Sequence, residues 1–240
     1  MGNSHAFFSH LIPHFDATIV TSDGQTFEIS NFELIDHILL LRQVIAHQEM
    51  IQKGEVLDYY IEDYCKRMSD QTMMTIHQQL ELPWQIDWIW HVHRLHPIAY
   101  NNDCIRQLSS GQLVDKRCLR LTIEQYQKHH LNVSSESIRG HLKFVPSLDL
   151  TSAILYQRTF LENFKKHYLF SMDLQHMNRN LFEQMVQNYV SFLKLSKENE
   201  IIVPTFDIDL IWHTHMRFPS HSQKASIALC GSILDHNDFI

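Results

Sequence analysis

Basic residues are in short supply: 20 Lys and Arg face 27 Asp and Glu, a formal net charge of −7. A chain of that sign lacks the electrostatic footprint that phosphate backbones select, so no nucleic-acid partner is expected. Cysteine is sparse as well. Cys65, Cys104, Cys118 and Cys230 lie far apart with no C-x-x-C pair, which supports neither a zinc finger nor a dense disulfide framework and leaves reduced thiols as the expectation. No apolar run approaches the roughly 18 residues that span a bilayer, and no basic region followed by an apolar one marks a secretory signal. The expected compartment is the cytoplasm. A glycine-rich phosphate loop, a G-x-S-x-G elbow and an H-E-x-x-H helix are missing too.

What is there suits a soluble globular protein: 44% of the 240 residues are hydrophobic and 20% charged. Such a length permits one large domain or two small ones, and burial of roughly 70% of the unfolded surface. Histidine is the anomaly. Its 18 residues run from His5 to His236, which raises the weight of metal binding, although many must be ordinary surface groups.

One stretch occurs twice. Asp87-Trp88-Ile89-Trp90-His91-Val92-His93 with Pro97 after it is matched by Asp209-Leu210-Ile211-Trp212-His213-Thr214-His215 with Pro219 after it, and Pro83 and Pro204 precede the copies. Identical spacing of aspartate, tryptophan, two histidines and proline marks an internal duplication. The segments around the copies repeat as well. Leu34, Ile38, Leu41 and Ile45, then Leu57, Tyr60, Ile61, Tyr64 and Met68, recur at helical spacing before the first copy. Leu150, Ile154, Leu161, Phe164 and Tyr168, then Phe182, Met185, Val186, Tyr189 and Leu193, do so before the second. Each copy is followed by a proline-started helix, the second closing at Gly231.

The expected fold is therefore all-α: two related helical units packed together, with a short β-hairpin at the N-terminus. Residues 1–29 form the first segment, where Ser22-Asp23-Gly24-Gln25 separates two runs of β-formers. Residues 30–111 form unit one, opened by Ser30-Asn31-Phe32-Glu33 in capping-box form. Residues 112–146, with the Ser134-Ser135-Glu136-Ser137 cluster, form a connector, and residues 147–240 form unit two. Gly2 is placed for N-myristoylation, but Ala6 stands where Ser or Thr is required, and no polybasic patch or nearby cysteine supplies a second anchor. No stable membrane association is expected.

The chemistry of the motif depends on its backbone. On a strand, Asp87, His91 and His93 would share one face, a good two-histidine arrangement for zinc. On a helix, Asp87 and His91 lie about 40° apart while His91 and His93 point about 160° apart, so those two histidines could not share a metal. The helical surroundings favour the helix. Asp87 and Asp209 are then histidine-orienting partners of His91 and His213 beside Trp90 and Trp212. His91, His93, His213, His215 and His236 remain the metal-ligand candidates, with zinc or another transition metal as the alternative to no cofactor. Pairing Cys104 with a motif histidine is the nearest catalytic idea.

The duplicated Asp-x-x-Trp-His-x-His-x-x-x-Pro pattern, with Arg94-Leu95-His96-Pro97, Tyr100, Asp103 and Cys104 after the first copy and Gly231 to Asp238 closing the second, resembles the glycine-rich domain-containing protein-like family. The resemblance runs from about Phe32 to the C-terminus. It implies a helical domain of unknown biochemical function, known chiefly from plant proteins linked to development and stress, some with a glycine-rich tail and an RNA-binding segment. Six glycines cannot supply such a tail. The second copy also departs from the pattern, with Arg217-Phe218 for Leu-His and Ser222 and Ala225 for the later Tyr and Asp. An activity needing the full motif is thus expected at unit one, with unit two serving mainly as packing. Two functions compete: a non-enzymatic helical module that binds another protein through the groove between the units, and, less favoured, a metal-binding protein or metal-dependent enzyme built on the histidines of the two motif copies.

Overall fold

The computed structural model describes residues 12–21, 23–127, 143–196 and 203–236. The lipidation motif at Gly2, the serine cluster at Ser134 and the final Asn237 and Asp238 lie outside them.

Asp16–Val20 (β1) and Thr26–Ser30 (β2) pair antiparallel, Ala17 opposite Ile29 and Ile19 opposite Phe27, around a turn in which Gly24 takes φ 83°. A side chain there would be strained. Alternation puts Ala17, Ile19, Phe27 and Ile29 on the buried face. The remaining regular structure is helical: α1 Asn31–Ala46, α2 Glu55–Ser69, α3 Ile76–Leu80, α4 Trp84–Arg94, α5 Pro97–Gln107, α6 Ile123–Gln127, α7 Leu150–Lys166, α8 Tyr168–Ser171, α9 Arg179–Leu195, α10 Phe206–Met216 and α11 Pro219–Cys230. No described helix is long and apolar enough to cross a membrane.

Both copies of the motif are helical, on α4 and α10, and prolines open the helices that follow them, α5 and α11. The unit-two stripe is interrupted: α7 stops at Lys166, and His167 caps the four-residue α8 that holds Tyr168. The cap on α1 also differs from the expected box, because the Ser30 hydroxyl accepts from the Phe32 N–H at 3.2 Å instead of from the third residue. A true capping box occurs at α3, between Thr75 and Gln78.

Helix α1 carries more than one apolar stripe. Leu34, Ile35, Asp36, His37, Ile38, Leu39, Leu40 and Leu41 are all buried, as befits a helix enclosed on every side. It touches both α4 and α10, and α4 packs in turn on α2 and on α7 of the second unit. The apolar side chains of the two units form one core.

Candidate functional site

Because α1 lies against both motif helices, two of its buried polar residues, Asp36 and His37, meet the polar residues that α4 and α10 turn inward. They do so at two different centres.

The first centre is ionic and dry. Asp87 Oδ2 lies 2.8 Å from Lys116 Nζ and 3.0 Å from Arg217 Nη2, while Arg94 Nη2 reaches Asp87 Oδ1 at 3.5 Å and Arg120 Nη1 reaches Oδ2 at 3.7 Å. Asp36 Oδ2 lies 3.0 Å from the same Arg217 Nη2 and 3.3 Å from Lys116 Nζ, and its Oδ1 takes the Arg120 backbone N–H and the Tyr126 hydroxyl. All these residues are at least nine-tenths buried. Burial by itself pushes the Asp87 carboxyl up, but Lys116, Arg217, Arg120 and Arg94 outweigh it and hold it ionised well below the usual carboxylate range. Burial likewise pulls Arg217 down, and Asp36 and Asp87 reverse the sign, so its guanidinium is held charged. Arg94 is fixed further by the Trp90 face, 3.8 Å from its guanidinium carbon.

Asp87 is thus not the partner of His91. Its oxygens are taken by cations, and neither ring nitrogen of His91 has a hydrogen-bond partner among the described residues, although the ring is fully buried. Burial holds His91 neutral, well below its ordinary pKa, with His37 adding to the effect. The edge of the His91 ring meets His37 at a centroid distance of 4.6 Å. Thr214 donates its hydroxyl to the Leu210 carbonyl at 2.8 Å, so it can only accept from His37 Nδ1–H, also at 2.8 Å. The Nε2 of His37 therefore carries a bare lone pair, and it too has no partner among the described residues.

The second centre lies at the other copy. Asp209, one turn before His213, approaches its Nε2 at 3.4 Å, and His236 Nε2 sits 2.9 Å from His213 Nε2 and 3.2 Å from Asp209 Oδ1. His213 is buried, stacked on Phe160 at 4.2 Å, and Asp209 is 21% exposed at the rim. The His91 and His213 rings are 5.9 Å apart, centroid to centroid. Of the five sequence candidates, His213 and His236 come together with Asp209, and His91 lies beside them.

His93 and His215 turn the other way. The Asp103 carboxylate must accept from His93 Nε2–H at 3.1 Å, so Nδ1 accepts from the Tyr64 hydroxyl at 2.8 Å. His215 repeats this with Tyr189 at 3.1 Å and His221 at 3.4 Å, where the second copy lacks the aspartate. Burial lowers the pKa of both rings, that of His215 to about 3. These histidines are bound up in the core. The thiol of Cys104 is buried and pushed up to about 11, so it is no thiolate nucleophile near neutral pH.

Sequence reading missed Asp36, His37, Lys116, Arg120 and Arg217. The one local signal was a polar pair, Asp36-His37, set inside the apolar run from Leu34 to Leu41. Arg217 was read as decay of the second copy, but it reaches back to the aspartate of the first. Lys116, Arg120 and Tyr126 come from the segment read as a connector.

A groove opens on the surface where the units meet. Ile45, Gln48, Ile51 and Gln52 line one side and Arg158, Leu161, Glu162 and Lys165 the other, enclosing about 880 Å³. Arg158 ties the two sides by donating from Nε to the Ile51 carbonyl at 2.6 Å.

The family model for glycine-rich domain-containing protein-like sequences matches residues 108–224. Glycine-rich domain-containing protein 1 of Arabidopsis thaliana is 32% identical over 182 aligned residues, covering 65% of this chain and 21% of the relative. Glycine-rich domain-containing protein 2 of the same plant is 29% identical over 180, covering 65% and 22%. The chain thus spans about a fifth of the length of these relatives. No solved structure matches it significantly.

Proposed function

Because the chain belongs to the glycine-rich domain-containing protein-like family, and its relatives carry the matching region as one part of much longer proteins, we propose that it is a non-enzymatic helical module that holds a segment of a partner protein. The groove at the junction of the units carries this reading. Its floor is aliphatic, with Ile51 and Leu161 buried and Ile45 half-buried, and its rim is polar, the layout of small recognition grooves. Arg158 and Lys165 give the rim a cationic side against Glu162. The segment it suits has an aliphatic anchor beside an acidic residue. The inward motif residues support the same reading, because Asp87, His93 and His215 are engaged with neighbours in the core and do not face a substrate.

Selection of a random-peptide display library on the purified chain tests the proposal. The expected peptides pair an aliphatic with an acidic residue and bind a Lys165→Glu variant at least about tenfold more weakly, by loss of one charge contact, while that variant melts like the parent. Peptides that bind parent and variant equally, or a library that yields none, would remove the groove as the binding surface.

A further inference from the structure

We infer that Asp209, His213 and His236 form a binding site for one divalent transition-metal ion, of which zinc is the reference case. The site is independent of the groove. The oxygen of Asp209 and the two Nε2 atoms form a triangle with edges of 2.9, 3.2 and 3.4 Å. A circle through those three atoms has a radius of about 1.8 Å, so an ion about 2.0–2.1 Å from each sits a little off their plane. A carboxylate with two neutral imidazoles is a donor set that zinc and other divalent ions of intermediate softness accept.

Protons alone satisfy this triangle poorly. A carboxylate oxygen only accepts, and a proton shared between the two imidazole nitrogens occupies both Nε2 atoms and gives Asp209 no N–H from either. A proton directed at Asp209 leaves the two nitrogens 2.9 Å apart with no hydrogen centred between them. A central cation attracts all three atoms at once.

The surroundings have features of a metal site. The Phe160 ring stacked on His213 and the Trp212 ring 4.8 Å from His236 shield the two imidazoles on the protein side. Asp209 at the rim leaves a path for the ion and for exchangeable ligands. His91, fully buried with neither ring nitrogen partnered among the described residues, stands next to His213. The two copies of the motif therefore differ in kind. The first commits its aspartate to cations of the protein, and the second presents its aspartate to a cation from outside.

Calorimetric titration of the tag-free, chelator-treated chain with zinc chloride tests the site, with cobalt(II) absorption as an independent readout. Expected are one equivalent bound, a cobalt spectrum of low coordination number, and affinity reduced at least about tenfold in both Asp209→Asn and His236→Ala. Asp209 is at the rim and His236 lies outside the described helices, so these variants keep the parent's circular dichroism. A His176→Ala variant, which removes a surface histidine paired with Asp173, leaves binding unchanged. Substoichiometric zinc in the parent, or stoichiometric zinc retained in Asp209→Asn and His236→Ala, would overturn the assignment.

Discussion

Replacing Asp87 by alanine is expected to destabilise the chain by about 3–5 kcal/mol, the typical cost of stranding buried charges by removing one partner. Asp209→Ala, at the same position of the second copy, is expected to cost below about 1 kcal/mol, as for a partly solvated pair. The difference follows from what each carboxylate touches. Asp87 lies among Lys116, Arg94, Arg120 and Arg217, and without it Asp36 alone faces those four cations in the interior. Asp209 meets two histidines that need no counter-charge while neutral. A loss of that size is a large share of the 5–15 kcal/mol that holds an ordinary domain together, so Asp87→Ala is expected to be partly unfolded at 37 °C. Urea unfolding followed by circular dichroism checks both values. Equal losses for the two aspartates would mean that the copies are equivalent after all.

As pH rises from about 6.5 to 8, the parent is expected to lose stability relative to a Glu33→Gln variant. Burial pushes the Glu33 carboxyl up to about 8; Asp16 and Asp36 add to the rise, and the Ser30 backbone N–H and Arg217 oppose it. The unfolded chain releases that proton near 4.5, so between these values the folded state binds one more proton than the unfolded one. The Glu33 contribution therefore declines with pH, by about 1.4 kcal/mol per unit where the difference is complete and by roughly 1.6 kcal/mol over this window. Buried histidines act in the opposite direction: burial holds His37, His91, His93, His215 and His221 below 6.5 in the fold, so their stabilisation is still rising as the unfolded imidazoles lose their protons between about pH 6.5 and 7.5. The difference between parent and Glu33→Gln cancels that rise and isolates the carboxyl. Denaturant midpoints at pH 6.5, 7.2 and 8.0 check the slope. Parent and Glu33→Gln profiles that run parallel would show that Glu33 is ionised in the fold.

Helices and hairpin were legible because their signals are local: Asp23-Gly24 between β-formers, apolar spacing along α2, α7 and α9, and prolines that open α5 and α11. The turn of the motif helix also separated His91 from His93, and the structure sends them to different neighbours. Pairing across long separations was not legible. Asp36, Lys116 with Arg120, and Arg217 come from three separate stretches of chain, and no periodicity links them. The spacing of Asp87 and His91 allows a contact on the helix, but four cations compete for the carboxylate more strongly than a neutral imidazole can. The same spacing does bring Asp209 beside His213, where no such cations intervene. His236 could be named as a further ligand from its chemistry, whereas His37 could not, because a lone histidine in an apolar helix reads as packing.

Whether Asp87 and Arg217 join the two units is decided most directly by a double-mutant cycle on Asp87→Asn and Arg217→Gln, measured by equilibrium urea unfolding. The two side chains are 130 residues apart in sequence and 3.0 Å apart in the core. Each single variant is expected to lose several kcal/mol and the double variant at least about 2 kcal/mol less than their sum, the coupling of groups in one buried network. Losses that add to within about 0.5 kcal/mol would contradict the pairing, and with it the joining of the two motif copies through a shared ionic centre.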